Sequence, residues 1–339
     1  MDQLPAEIWT QIISHACNDN GFTARSLSQT SHYFHTLSKP FRFRSVVVRG
    51  IPQLINFCRI LEATADRDRI VKNLFLSTYQ HDYEYLNPNP RYKLALLEFY
   101  KPGGDPRRFQ PTPEEIVDEY EELVIHCLMR ILVVVSSTVR NLYIWCTHDR
   151  VFLLPPIPLP ELVSLTMAGP YTSIQKASSE LTPTFPELRR LQLSDLYIGA
   201  SSMLFTTLKE CTPNLTHLRL EPANPYSDGF RTEIKKILNF PHVQNERSDL
   251  APNSTIAFPG SLEKLIIHPG YLEESGGCMT SRLNQFASIT ALKRLADDPR
   301  VIVCMEYPHS RDEDAEEQEN VDKWLLSIST ANQGIWEEQ

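Results

Sequence analysis

His32 and His35 stand one helical turn apart, a spacing at which two imidazoles can share a metal ion. No cysteine or carboxylate stands at ligand spacing beside them, so they read as surface histidines. His126 and Cys127 are neighbours, and a thiol beside an imidazole is what a cysteine nucleophile needs. They fall inside an amphipathic helical stretch, where packing is the better account. "FRFR" (41–44) alternates aromatics with arginines as a nucleic-acid stripe would, but its aromatics read as a seal between two parts of the chain. "DEDAEEQE" (312–319) lacks the alternating ligands of a calcium loop, and Gly103-Gly104 in "KPGGDP" reads as a turn. The sequence has no GxSxG elbow, P-loop, HExxH or Rossmann glycine pattern. The expectation is a protein without catalytic residues, metal or cofactor.

Composition narrows the class. The chain has 339 residues, 42% hydrophobic and 22% charged, which is ordinary globular composition and enough for about two domains. The net charge of −9 argues against a nucleic-acid partner. The longest apolar run, "CLMRILVVV" (127–135), is shorter than the roughly 18 residues a membrane span needs. The seven cysteines are widely spaced, form no CxxC, and follow no secretion signal. They read as reduced thiols in a cytoplasmic or nuclear protein.

The elements that would position any site begin at residue 4. In "LPAEIWTQIISHA" (4–16), Leu4, Ile8, Trp9, Ile12, Ile13 and Ala16 make a helical apolar stripe. Pro5 suits the first turn and Glu7 the positive end of the helix dipole. Asn18-Asp19-Asn20-Gly21 ends the helix, and "TARSLSQTSHYFHTLSKPFRF" (23–43) supplies one or two more helices. A piece of about 45 residues cannot bury so many large apolar side chains within itself. It either packs on the rest of its chain or docks another protein, and the second reading is preferred.

The ordered set "LPAEIWTQIISHA…ARSLSQTSHYFHTLSKPFRFRSVVV" resembles the F-box, in the form common in basidiomycete fungi, over about residues 2–46. The resemblance implies binding to a Skp-type adaptor and through it to a cullin, in an SCF-type ubiquitin ligase. Leu4, Pro5, Ile8, Ile12, Ile13, Leu27, Phe34 and Leu37 would contact the adaptor or brace that surface. Thr30 replaces a usual Val, and Phe34 a usual Trp.

After residue 46 one pattern recurs: aliphatic, two residues, aliphatic, one residue, aliphatic. It appears in "VKNLFL" (71–76), "VRNLYI" (139–144), "LVSLTM" (162–167), "LRRLQL" (188–193), "LTHLRL" (215–220) and "LEKLII" (262–267). The middle starts, 139, 162, 188 and 215, lie 23, 26 and 27 residues apart, within the roughly 20–29 of leucine-rich repeats. Each unit has one apolar side, so units must stack. "LPEL" (159–162), "FPEL" (185–188) and "TPNL" (212–215) place a proline before the pattern, which suits an extended entry. "SSMLFTTLKECTPNL" (201–215), with Cys211, resembles the cysteine-containing repeat often found behind an F-box.

The expected fold is α/β: a short all-helical F-box at 1–46, then an irregular leucine-rich-repeat-like solenoid over 47–339, with insertions at about 77–112 and 221–260. A strand is expected at 45–48 and helices at 51–64, 91–100, 113–137, 230–239 and 280–298. A strand at 300–306, a solvated acidic run at 311–320 and a capping helix at 321–330 would close the chain. A substrate protein would sit on the strand residues beside the buried ones, and Tyr143, Trp145, Arg190 and Arg219 are the anchor types to expect there. The reading is a non-catalytic substrate receptor of an SCF-type ligase; the alternative is an interaction scaffold without ligase function.

Overall fold

The computed structural model describes residues 4–79, 113–146, 154–169, 184–196, 203–222, 228–238, 261–269, 287, 289–304 and 313–329. The expected helix at 91–100 and most of both insertions lie outside these. Two compact units are present: Met1–Val151 with Arg311–Gln339, and Phe152–Ser310. The boundary expected at 46/47 falls inside the first unit. The class is α/β with parallel strands. Among the described residues no helix is long and apolar enough to cross a membrane.

The first unit opens with α1 (Ala6–Ala16), α2 (Phe22–Thr30) and α3 (His32–Ser38), followed by a 3-10 turn at Lys39–Phe41. Asp19 ends the first loop by accepting from the Gly21 and Thr23 amides at 2.9 and 2.8 Å. Gly21 sits at φ +85°, and a Cβ there would stand 3.0 Å from the Ser45 carbonyl, so the turn needs glycine. Ser31 caps α3 through the Phe34 amide at 3.2 Å. Buried Ile13, Cys17 and Ala24 form a small core with Leu27, Phe34, Leu37 and Phe41 packed around it. Arg44 reaches back to Ser14 Oγ at 2.7 Å and Asn18 Oδ1 at 3.2 Å, and Phe43 meets Phe57 of α4 with centroids 6.4 Å apart. The Phe43 contact agrees with the expected seal.

Strands β1 (Ser45–Arg49), β2 (Asn73–Ser77) and β3 (Asn141–Trp145) pair in parallel and in register, Ser45 beside Asn73 beside Asn141. Helices α4 (Gly50–Ala63) and α5 (Pro113–Val135) pack on each other, and α4 also packs on β1 and β2. In α5, Leu123, Val124, Cys127, Leu128, Ile131, Leu132 and Val135 are buried, the helical period expected of one apolar face. Helix α8 (Glu313–Ser329) packs on β2. Leu74, Leu76, Leu142 and Ile144 alternate with Phe75 and Tyr143 along their strands, so they point away from α8.

The second unit holds β4 (Ser164–Ala168), β5 (Arg190–Leu196), α6 (Met203–Cys211), β6 (His217–Pro222), α7 (Asp228–Ile237), β7 (Lys264–Ile267) and β8 (Val301–Val303). Its strands pair in chain order, all parallel. Leu165, Leu191, Leu218, Leu265 and Val301 share one register, and all are buried. Three proline turns repeat one geometry. The amides of Leu162, Leu188 and Leu215 donate to the carbonyls of Leu159, Phe185 and Thr212 at 3.2, 3.1 and 3.3 Å. A second device recurs in both units: two successive amides donate to one carbonyl of the preceding strand's entry. Lys72 and Asn73 do so to Arg44, Arg140 and Asn141 to Lys72, Thr216 and His217 to Arg189, and Glu263 and Lys264 to Thr216. All six aliphatic triplets are buried, from Val71, Leu74 and Leu76 to Leu262, Leu265 and Ile267.

The C-terminal expectation needs correction. The last helix starts at Glu313, earlier than expected, and lies on β2 of the first unit instead of closing the far end of the strand series. Within the acidic run, Glu317 is buried, not solvated, because it faces inward on that helix.

Candidate protein-interaction surfaces

Helix α1 divides its apolar residues between two sides. Ile13 is 1% exposed and anchors the small core. Leu4, Ile8 and Ile12, four residues apart, are 47, 39 and 46% exposed, and Pro5 is exposed beside them. A helix repeats its face every three to four residues, so Ile8 and Ile12 share one side while Ile13 turns toward α2 and α3. Completing the burial of such side chains is worth roughly 1 kcal/mol each, half of a full transfer. Trp9 is half-buried and meets Phe34 edge to face at 5.0 Å; Tyr33 meets the same ring at 5.7 Å. Leu27, Phe34 and Leu37 are half-buried and brace the core. The expected adaptor set therefore separates into an outer part, Leu4, Pro5, Ile8 and Ile12, and an inner part led by Ile13. Phe22 and Tyr33, 65 and 49% exposed, add apolar surface that the spacing argument did not single out.

The strand faces differ from expectation. Tyr143 and Trp145 lie on the expected face of β3, but both are buried. Tyr143 stacks on Phe75 with centroids 4.5 Å apart, and Phe75 meets Trp324 of α8 at 5.7 Å. Tyr79 stacks on Trp145 at 5.5 Å with planes 7° apart. Arg49 at the end of β1 donates to Gln318 Oε1 of α8 at 2.8 Å. The two aromatics are thus packing residues of the first unit, not exposed anchors. Arg219 in the second unit is buried too. It donates to Glu221 Oε1 at 2.9 Å, and Gln192 donates to the same oxygen at 3.1 Å, while Ser194 donates to Glu221 Oε2. Arg219 and Glu221 make an internal buttress.

The row before it stays half-exposed: Ser164, Arg190, His217 and Lys264 stand side by side on β4, β5, β6 and β7. Burial pushes the Arg190 guanidinium below its ordinary pKa, and neighbouring Arg189 adds to the shift. Burial also lowers His217; Glu263 opposes this, and Arg190 and Lys264 reinforce it. Of the four expected substrate anchors, Arg190 is the one on an accessible row.

No protein-family model, no curated protein and no solved structure matches this chain.

Among the described residues no group of three or more metal-ligating side chains comes together. His32 and His35 are exposed, in line with the surface reading, and the His35 ring lies 3.3 Å from the Ser28 carbonyl. Cys127 is buried against Cys58 of α4, and that contact together with burial pushes its thiol far up. Its complete burial against α4 fits a packing role.

Proposed function

We propose that this chain is an F-box-type substrate receptor of an SCF-type ubiquitin ligase. Helices α1 to α3 bind a Skp-type adaptor, and a leucine-rich-repeat-like solenoid holds a protein substrate. The observation that carries the reading is the exposed pair Ile8 and Ile12, with Leu4 exposed just ahead of the helix, on a helix whose other side is already satisfied by Ile13. A stripe of this kind on a small helical module is the form in which an apolar partner groove is met. The solenoid part is supported by the buried triplets, the three equivalent proline turns and the repeated paired-amide bonds. The receptor supplies proximity: a substrate held beside a charged conjugating enzyme reacts at a raised effective concentration, and the transfer chemistry belongs to the partners.

The deciding experiment measures binding of the full chain to a recombinant Skp-type adaptor, beside the triple variant Leu4→Ala, Pro5→Ala, Ile8→Ala. Binding by the wild type that is lost in a folded variant supports the adaptor face. A folded wild type that does not bind overturns it.

One observation favours a second reading, an interaction scaffold that binds the adaptor without a cullin or binds no adaptor at all. Thr30 is exposed and folds its hydroxyl onto the Leu27 carbonyl at 2.8 Å, so α2 ends in a polar group where F-boxes usually carry valine. Recovery of a cullin with the chain from cells supports the ligase reading, and adaptor without cullin supports the scaffold.

A further inference from the structure

Four side chains of the second unit stand in one register: Ser164 beside Arg190, Arg190 beside His217, and His217 beside Lys264. Neighbouring parallel strands are about 4.8 Å apart, so Arg190 and Lys264 start about 10 Å from each other. All four residues are half-exposed. The next row on this face holds half-exposed Thr166 and Gln192 beside buried Arg219 and Ile266, and Glu221 of the row after it is engaged by Gln192, Ser194 and Arg219. The half-exposed row thus carries two cations, Arg190 and Lys264, on either side of an imidazole. The chain as a whole has a net charge of −9, so this row runs against its own background. Among the groups acting on His217, the positive neighbours are Arg190 and Lys264, and the exposed carboxylate of Glu263 opposes them.

We infer that the Ser164–Arg190–His217–Lys264 row is a docking site for an Asp/Glu-rich segment of a partner protein. The inference deepens the receptor reading and rests on it for calling that partner a substrate. Charge complementarity selects the occupant. An extended acidic segment repeats one face every second residue, about 6.8 Å apart, so two carboxylates of one face lie within reach of the long Arg190 and Lys264 side chains. Arg190 supplies a forked guanidinium for a carboxylate, and Lys264 a mobile point charge. Ser164 supplies a hydroxyl at the end of the row. Such contacts set on-rate and selectivity, and they weaken with salt.

The test is fluorescence anisotropy of a labelled octaglutamate peptide with the full chain at about 50 mM salt, where the Debye length exceeds 10 Å. Expected are saturable binding, at least tenfold weakening in Arg190→Ala/Lys264→Ala, tightening in Glu263→Gln, and no binding of an octalysine peptide. Lys264→Gln, a change at one half-exposed side chain, is the second variant should the double variant melt early, and it is expected to weaken binding several-fold. No binding by the wild type, or equal binding by folded variants, overturns the site. So does self-association of the chain that octaglutamate competes away, since the occupant is then a second copy. Adaptor binding is measured in parallel on the same preparation. Peptide binding without adaptor binding leaves the site standing and removes the receptor reading; the reverse result removes the site alone.

Discussion

Trp324 on the last helix meets Phe75 on the second strand edge to face, with ring centroids 5.7 Å apart. The contact ties the C-terminal helix to the first three strands. Phe75 in turn stacks on Tyr143, so one aromatic chain runs from α8 through β2 to β3. Deleting a buried tryptophan leaves a large void as well as losing its transfer energy. Trp324→Ala is expected to cost about 3–5 kcal/mol. Thermal melting checks this, and near-ultraviolet circular dichroism should show loss of the aromatic environment. An unchanged melting temperature would mean that α8 contributes no packing energy.

Two neighbouring isoleucines of α1 should behave oppositely. Ile13→Ala empties the small helical core and is expected to cost about 2–5 kcal/mol. Ile12→Ala, on the exposed side, should change stability by less than about 0.5 kcal/mol. Adaptor binding should show the reverse ranking once Ile13→Ala is compared at a temperature where it is folded. Equal stability losses would place both residues in one core and remove the outer stripe.

Much of this was legible in the sequence because burial follows a short period. Leu188, Leu191 and Leu193 declare themselves as a triplet, and the proline before three of the six triplets declares the turn. The alternation of a strand also tells which side Tyr143 and Trp145 take. It does not tell what lies over them. That depends on Trp324 and Tyr79, which are remote from β3 in sequence and carry no periodic signal pointing to it. Arg219 departs from expectation for a related reason: an arginine two residues before Glu221 on one strand face finds an internal partner, and side-chain type alone does not reveal that. The helical stripe of α1 was visible, but its division between Ile12 and Ile13 needed the positions of α2 and α3.

Cysteine reactivity should follow burial. Burial, with nearby Asp19 adding to it, raises the Cys17 thiol to about 11. Burial raises Cys146 to about 12, and Cys211 to about 11 with help from Glu210. At pH 8 their thiolate fractions are far below that of a free cysteine. Cys304 is partly exposed. Iodoacetamide footprinting of the native chain, read by peptide mass mapping, should therefore modify Cys304 before Cys17, Cys146 and Cys211. Faster labelling of Cys211 than of Cys304 would contradict the packing of α6.

Asp298 fixes the entry to β8. Its carboxylate accepts from the Arg300 backbone amide at 2.9 Å and pairs with the Arg300 guanidinium at 2.7 Å. Hydrogen bonding to Arg300 holds its pKa below the ordinary carboxylate value. A depressed folded pKa contributes stability above the unfolded pKa, near 3.9, and loses it as pH falls through the folded value. The Arg300 side chain is 40% exposed, so the pair is screened and worth about 1 kcal/mol. Asp298→Asn should destabilise by about that amount at pH 7 and by less at about pH 3, below the unfolded carboxylate value. Urea melts at the two pH values check it; an equal cost at both would assign the effect to shape and not to charge.

His217 works in the opposite direction from a paired histidine. Its folded pKa lies below the ordinary value because the ring is partly desolvated and two cations stand beside it. Between the folded pKa and the unfolded value near 6.5, the unfolded chain binds more protons than the native one. Stability attributable to this group is therefore full above pH 6.5 and declines as pH falls through the folded pKa. The three neighbours separate the causes. Lys264→Ala or Arg190→Ala removes a repelling cation and should raise the His217 pKa, whereas Glu263→Gln removes an attracting carboxylate and should lower it further. Imidazole NMR titration of the wild type and the three variants reads the shifts directly, with His217→Gln assigning the resonance. A Lys264→Ala shift in the downward direction would mean that Lys264 does not share the row with His217, contrary to the register of β6 and β7.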